Sequence, residues 1–148
     1  MSDVLDTPEV QKIYIDARGP RFGAAITTVV LAAALATNNV WFIVVQALVF
    51  AIGAFKGPQF TPYAFIYKTF VKPRLKGEVP AEDVRPPQFA QSVGLLFALV
   101  AVGGVLAGVN AIFSVAVAFA LGAAFLNAAF NFCLGCEIYL LLLRARKN

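Results

Sequence analysis

The chain has 148 residues, 60% of them hydrophobic and only 14% charged, with 12 basic against 8 acidic side chains and a formal charge of +4. Its mean hydropathy of +0.79 leaves too little polar cover for a water-soluble domain of this size, and a secretory leader does not explain it, because apolar runs recur along the chain. The absence of histidine excludes His-assisted thiol activation, histidine haem ligation and His-based zinc catalysis.

The charges occupy three stretches: 1–21, 56–85 and 137–148. Between them, Phe22 to Phe55 and Pro86 to Cys136 contain no Lys, Arg, Asp or Glu. The predicted organisation is a single all-α membrane domain: a lead-in over 1–21, a first helical hairpin over 22–55, an interfacial arm and loop over 56–88, a second hairpin over 89–132, and a C-terminal arm over 133–148. Each apolar run exceeds the roughly 17–25 residues of one spanning helix. Backbone groups in lipid must be bonded internally, so each run is read as two helices, giving four transmembrane spans.

In the lead-in, Thr7-Pro8-Glu9 is a helix start, with Gly19 as its stop. The first hairpin breaks near Thr37, Asn38 and Asn39. Its helices are short, about 16 residues or roughly 24 Å each at the helical rise, against a hydrocarbon core of about 30 Å. They must extend into Ala17–Arg21 and Lys56–Gly57, or the bilayer must thin. The arm from Phe60 to Leu75 mixes aromatic with basic residues, as suits the headgroup boundary, and Pro73 ends it. Lys76 to Pro87 reads as an exposed loop. The second hairpin breaks near Gly108, Val109 and Asn110. Gly104 and Gly108, with Ala116, Ala120, Ala124 and Ala128, recur every four residues, a spacing that lets helices approach closely. Packing inside the bundle or a homodimer face would both use it.

Every basic side chain lies on the side away from the hairpin tips. The positive-inside rule then puts both termini and the central loop in the cytoplasm, in a multi-pass protein of the cell (inner) membrane. The positive charge reads as topology and attraction to anionic lipid, not as a nucleic-acid surface.

A repeat runs through the chain. Asp16-Ala-Arg18-Gly-Pro20-Arg-Phe22 and Asp83-Val-Arg85-Pro-Pro87-Gln-Phe89 share Asp, Arg, Pro and Phe, 67 residues apart. After the hairpins the offset becomes 72: Ile66-Tyr67 matches Ile138-Tyr139, Lys72 matches Arg144 and Arg74 matches Arg146. Two copies of one unit, both starting on the same side, imply a pseudo-twofold axis along the membrane normal. Across it, Asp16 is expected to pair with Arg85 and Asp83 with Arg18. Ordinary lead-in sequences with lipid-facing arginines are the plainer alternative.

The chemistry is expected at Cys133-Leu-Gly-Cys136, the chain's only cysteines. In the first copy Thr61-Pro62-Tyr63-Ala64 stands there. Two thiols at this spacing can cycle with a disulfide, carry persulfide sulfur, or supply half of a four-thiolate metal site shared with a second chain. They can also pack inertly. Redox or sulfur transfer ranks first and metal last, so no metal or cofactor is expected. A permanent structural disulfide does not suit the cytoplasmic side. Arg144 and Arg146 are expected to favour a thiolate. Glu137 would oppose one or act as a base. Asn127 and Asn131, four apart on one helix face, are expected to point inward and hydrogen-bond the site, with structural glue as the alternative. Cys133 is taken as the attacking thiol and Cys136 as the buried resolving one.

Ile15 to Arg146 resembles a family of small bacterial integral membrane proteins known as domain of unknown function 4395. The likeness rests on the two lead-in motifs (the second extended as Arg85-Pro-Pro87-Gln-Phe89-Ala90-Gln91), on Ala124-Phe-Leu-Asn127-Ala, and on Phe132-Cys133-Leu-Gly-Cys136-Glu137-Ile-Tyr139. It implies a four-helix membrane protein without an assigned activity. Relatives are often encoded beside thioredoxin-like proteins and rhodanese-type sulfurtransferases, which favours such a soluble partner. The expected function is therefore a membrane thiol protein handling redox equivalents or sulfane sulfur. The rivals are a transporter or channel for a small sulfur species, and an accessory subunit of a larger membrane complex.

Overall fold

The computed structural model describes residues 14–75, 77 and 81–147. The helix start expected at Thr7 to Glu9 lies outside these residues. Strand β1 (Tyr14–Asp16) leads into helix α1 (Arg18–Thr37), followed by α2 (Val40–Phe55). A short 3-10 turn (Pro58–Phe60) precedes α3 (Pro62–Ile66), which runs on through a wide turn (Tyr67–Val71) and a tight one (Lys72–Arg74). Strand β2 (Ala81–Asp83), α4 (Arg85–Leu106), α5 (Asn110–Phe130) and α6 (Leu134–Lys147) complete the described chain.

The helix ends follow local chemistry. Asn38 takes the left-handed conformation at φ 55°, which asparagine tolerates better than most residues. Asn39 then caps α2, its side chain accepting the Trp41 N–H at 2.9 Å. At the second tip Gly108 (φ 77°) makes the reversal. Its expected role on a close-packed helix face is thus corrected: it is a turn residue. Gly104 does serve close packing, because a Cβ there would stand 2.8 Å from Ile112 of α5. Pro20 sits in the first turn of α1, and Pro86 and Pro87 in that of α4, where a missing N–H costs no helical bond. Gly19 lies inside that first turn of α1 and does not stop a helix. The segment read as an open loop before Pro87 instead contains β2 and the start of α4.

The two strands pair antiparallel, Tyr14 with Asp83, Ile15 with Glu82 and Asp16 with Ala81. Ile15 and Glu82 stand 67 residues apart, so this register is the one a twofold between the lead-in motifs requires. Leu31, Ala34, Ile43, Phe50, Ala98, Ala101, Phe113 and Val117 form the buried core, drawn from α1, α2, α4 and α5. α1 packs on α5, α2 on α4, and α4 on both α5 and α6. The outer face is as apolar as the core, with Val29, Trp41, Leu48, Leu96, Leu106 and Phe119 exposed. Water would not tolerate so continuous an apolar surface on a monomer. Three helices, α1, α4 and α5, are long and apolar enough to cross a membrane; α2, with 16 residues, is shorter. α1 does extend back to Arg18, but α2 ends at Phe55.

Candidate functional site around Cys133 and Cys136

α5 ends at Phe130 because Asn131 turns left-handed (φ 55°) and its N–H bonds the Asn127 carbonyl at 3.1 Å. Three residues on, α6 begins, and Cys133 stands at its N-cap. The Cys133 Sγ accepts the backbone N–H of Cys136 at 3.2 Å, and its carbonyl accepts the Glu137 N–H at 3.0 Å. An acceptor in this place satisfies one of the free amides at a helix N-terminus. Thr61 does the same for α3: its Oγ1 accepts the Ala64 N–H at 3.2 Å. Thr61 and Ala64 are the residues 72 positions before Cys133 and Cys136, so a hydroxyl oxygen caps one arm where the Cys133 sulfur caps the other.

Cys133 and Cys136 are joined as a disulfide, with Cα atoms 5.1 Å apart. Cys136 is buried and Cys133 is half-buried. Between them, Gly135 lies against α4 so closely that a Cβ on it would stand 2.7 Å from the Ala90 Cβ and 2.8 Å from its Cα. Glycine here is what lets α6 seat on α4 and brings the cysteine pair down onto the bundle.

The expected supporting residues are only partly brought together. Asn127 and Cys133 line one cavity of about 220 Å³, together with Gln91, Phe97, Phe119 and Gly135. Asn131 is corrected: it is an exposed left-handed cap outside α5, not an inward-facing amide. Glu137 is exposed in the first turn of α6. Arg144 and Arg146 are also corrected as thiolate partners. They lie two to three turns beyond Cys136, about 12–15 Å at the helical rise. What lies beside Cys133 is the N-terminus of α6, and the signal for it was available in the Thr-Pro helix start at the matching position.

The lead-in motifs form two matching clusters. The Arg18 N–H and Nε each donate to Asp16 Oδ1 at 3.0 Å, and its Nη2 donates to Oδ2 at 3.0 Å. Arg85 repeats the set on Asp83 at 2.9, 3.1 and 2.8 Å. The expected exchange, Asp16 with Arg85 and Asp83 with Arg18, is thus corrected: each aspartate is held by the arginine of its own motif, and it is the backbone pairing of β1 with β2 that joins the two motifs. Asp16 also accepts the Tyr67 hydroxyl at 2.8 Å, and Lys72 approaches to 4.0 Å. Burial raises the Asp16 carboxyl, but the hydrogen bonds from Arg18 and Tyr67 outweigh it and hold the group at about 2. Burial, then the bond to Asp16, pushes Tyr67 up to about 12. Phe22 packs on Tyr67 with centroids 5.7 Å apart, as Phe89 packs on Tyr139 at 5.3 Å.

A polar chain missed as a unit in the sequence ties the first arm to the bundle. Tyr63 donates to Gln46 Oε1 at 2.7 Å, and Gln46 Nε2 donates to Thr27 Oγ1 at 3.3 Å. Gln46 is fully buried. The positions matching Tyr63 and Thr27, at offsets of 72 and 67, are Gly135 and Gly94.

The family model for domain of unknown function 4395 matches residues 15–144. The chain belongs to this family. The match takes in both lead-in motifs, all four bundle helices and the cysteine pair. No curated protein and no solved structure shows a detectable match, so any function must come from the chemistry of the family member in hand. Among the described residues no group of three or more His, Cys, Asp or Glu could hold a metal ion.

Proposed function

We propose that this member of the family is an integral membrane thiol protein whose Cys133–Cys136 pair cycles between dithiol and disulfide, or carries sulfane sulfur, in exchange with a soluble thioredoxin-like or rhodanese-type partner. The observation that carries the proposal is the placement of the pair. Cys133 caps a helix and accepts an amide N–H, while Cys136 sits buried behind it. That supplies a half-exposed attacking thiol with a stabilised thiolate and a protected resolving thiol.

In this reading all four bundle helices span the bilayer as two hairpins of one repeated unit, each followed by an interfacial arm. The matched Asp–Arg clusters, N-caps and Phe–Tyr pairs support the repeat. α2 is the weakest span, roughly 24 Å long against a hydrocarbon core of about 30 Å, so the bilayer thins beside it. Arg18 and Lys72 gather at Asp16 at the strand-bearing end, which the positive-inside rule assigns to the cytoplasm. The thiol pair then faces cytoplasmic partners.

Acid-quenched thiol trapping with intact-mass analysis on membranes, before and after thiosulfate or a mild oxidant, tests the proposal. A reversible Cys133–Cys136 disulfide or a persulfide mass shift is expected. Thiols that stay unmodified and inaccessible under every condition would overturn it and leave the pair as packing.

A further inference from the structure

The cavity beside Cys133 is built from residues the thiol chemistry alone does not need. Its walls come from α4 and α5, with Pro20, Ala24 and Thr27 of α1, Phe50 of α2, and Leu134, Gly135 and Ile138 of α6, and among the described residues no charged side chain lines it. At about 220 Å³ it is smaller than the ~300–1,000 Å³ of drug-sized pockets. One substituted ring fits that volume; a dinucleotide does not. Phe97 and Phe119 stack along it with centroids 6.3 Å apart and planes 30° apart, and Phe119 is 63% exposed on the apolar outer face. The cavity therefore communicates with the side of the bundle that faces lipid.

Two amides, Gln91 and Asn127, are set among these apolar walls. The Gln91 carboxamide lies over Gly53, and its Oε1 is buried with no hydrogen-bond partner among the described residues. An unsatisfied buried acceptor is costly, and a donor group reaching it would be stabilising once the carboxamide turns toward the cavity.

From this geometry we infer that the cavity is the binding site of a membrane quinone, which oxidises the Cys133–Cys136 dithiol. The inference rests on the thiol reading above. The uncharged walls admit a neutral ring and disfavour charged acceptors. A lipid acyl chain would fill the space but use neither the Gln91 nor the Asn127 amide. A quinone accepts amide N–H groups when oxidised and donates hydroxyl groups to amide oxygens when reduced, so glutamine and asparagine suit both states. In the reaction the two S–H bonds break and the Cys133 Sγ–Cys136 Sγ bond forms. Two electrons and two protons pass to the quinone, leaving a hydroquinone. Cys133, on the cavity wall, faces the ring; Cys136 closes the disulfide from behind.

The test uses the full chain in lipid nanodiscs, reduced, desalted and kept anaerobic. Decylubiquinone, whose fully substituted ring disfavours thiol addition, is the probe, and glutathione disulfide is the soluble comparison oxidant. Hydroquinone is read by ultraviolet absorbance and the disulfide by the loss of two hydrogens in intact mass. The wild type should yield one hydroquinone per disulfide formed. Ala124→Leu, which fills the cavity, and Gln91→Met, which keeps the shape and removes the amide, should slow quinone reduction by about tenfold or more and leave oxidation by glutathione disulfide unchanged. Should Ala124→Leu slow with both oxidants, its fold is damaged and Gln91→Met decides. Equal quinone rates in wild type and Gln91→Met overturn the inference. So does oxidation by glutathione disulfide without any by quinone, while the thiol reading then survives. Resistance to both oxidants overturns the thiol reading as well.

Discussion

Gly135→Ala tests whether the cysteine pair depends on how tightly α6 seats on α4. A Cβ at residue 135 would stand 2.7 Å from the Ala90 Cβ and 2.8 Å from its Cα, where ordinary contact begins at 3.4 Å. α6 must therefore retreat by about 0.6–0.7 Å, and the nearest atoms belong to a short side chain and a helix backbone that cannot rotate away. Overpacking of this kind typically costs about 1–3 kcal/mol. In a chain of this length each kcal/mol is worth about 2–4 °C of melting temperature. The displacement also opens the buried face of Cys136. The assay is thermal unfolding of the reduced protein in detergent, followed by a thiol-reactive fluorophore, with the alkylation rate of Cys136 measured well below the transition. Gly135→Ala should melt several degrees earlier and expose Cys136 faster. Ala90→Gly in the same chain should recover part of the loss by removing one of the two clashing atoms. An unchanged melting temperature together with an unchanged alkylation rate would refute the reasoning, because α6 would then sit on α4 without requiring glycine.

Three further outcomes follow from the same contacts. Cys133→Thr, which copies the Thr61 cap, should keep the stability of the reduced wild type, whereas Cys133→Ala should lose about 0.5–2 kcal/mol; equal melting temperatures for the two would remove the capping role. Gln46→Leu should lower stability by about 1–3 kcal/mol, since the Tyr63 hydroxyl loses its buried acceptor, and the double variant with Tyr63→Phe should recover much of this in a double-mutant cycle. The Asp16 carboxyl lies lower in the folded protein, at about 2, than its ordinary 3.8. Its stabilising contribution is thus present above pH 3.8 and is lost as pH falls toward 2. Asp16→Asn should flatten the acid limb of a stability–pH curve in that window, and an unaltered limb would show that Asp16 is not its source.

How much was legible depended on whether the signal was local. The tips at Asn38–Asn39 and Gly108 were readable because left-handed turns and caps select those residues. The motif offsets of 67 and 72 were readable as well, and the structure gives them content in a two-residue Asp–Arg cluster, an N-cap and a Phe–Tyr pair. Pairing within each motif was misread because charge complementarity does not specify a partner. Backbone geometry does: Asp16 two residues before Arg18 reaches both its N–H and its guanidinium. β1 and β2 were missed because three-residue strands are too short to show alternation. Asn131 shares a helical phase with Asn127 only if α5 continues past Phe130, which it does not. The cavity had no sequence signature at all, since its lining is assembled from five helices far apart in the chain.

The two caps differ in what they carry, and a transplant can test how much that difference matters. The first half of the chain is tied together by Thr27, Gln46 and Tyr63; at the offsets of 67 and 72 the positions matching Thr27 and Tyr63 are Gly94 and Gly135, and cysteines stand at the second cap. If cap geometry alone creates the disulfide, then Thr61→Cys with Ala64→Cys, in a chain carrying Cys133→Thr and Cys136→Ala, should oxidise with a small permeant reagent such as diamide, because residues 61 and 64 hold the same cap as residues 133 and 136. The transplanted pair should not be oxidised by decylubiquinone, because residues 61 and 64 do not line the cavity that Cys133 lines. Oxidation of the transplant by both reagents would show that the cavity contributes nothing beyond the cap. Oxidation by neither would show that the cap does not suffice and that the seating of Gly135 on Ala90 is what brings the two sulfurs together.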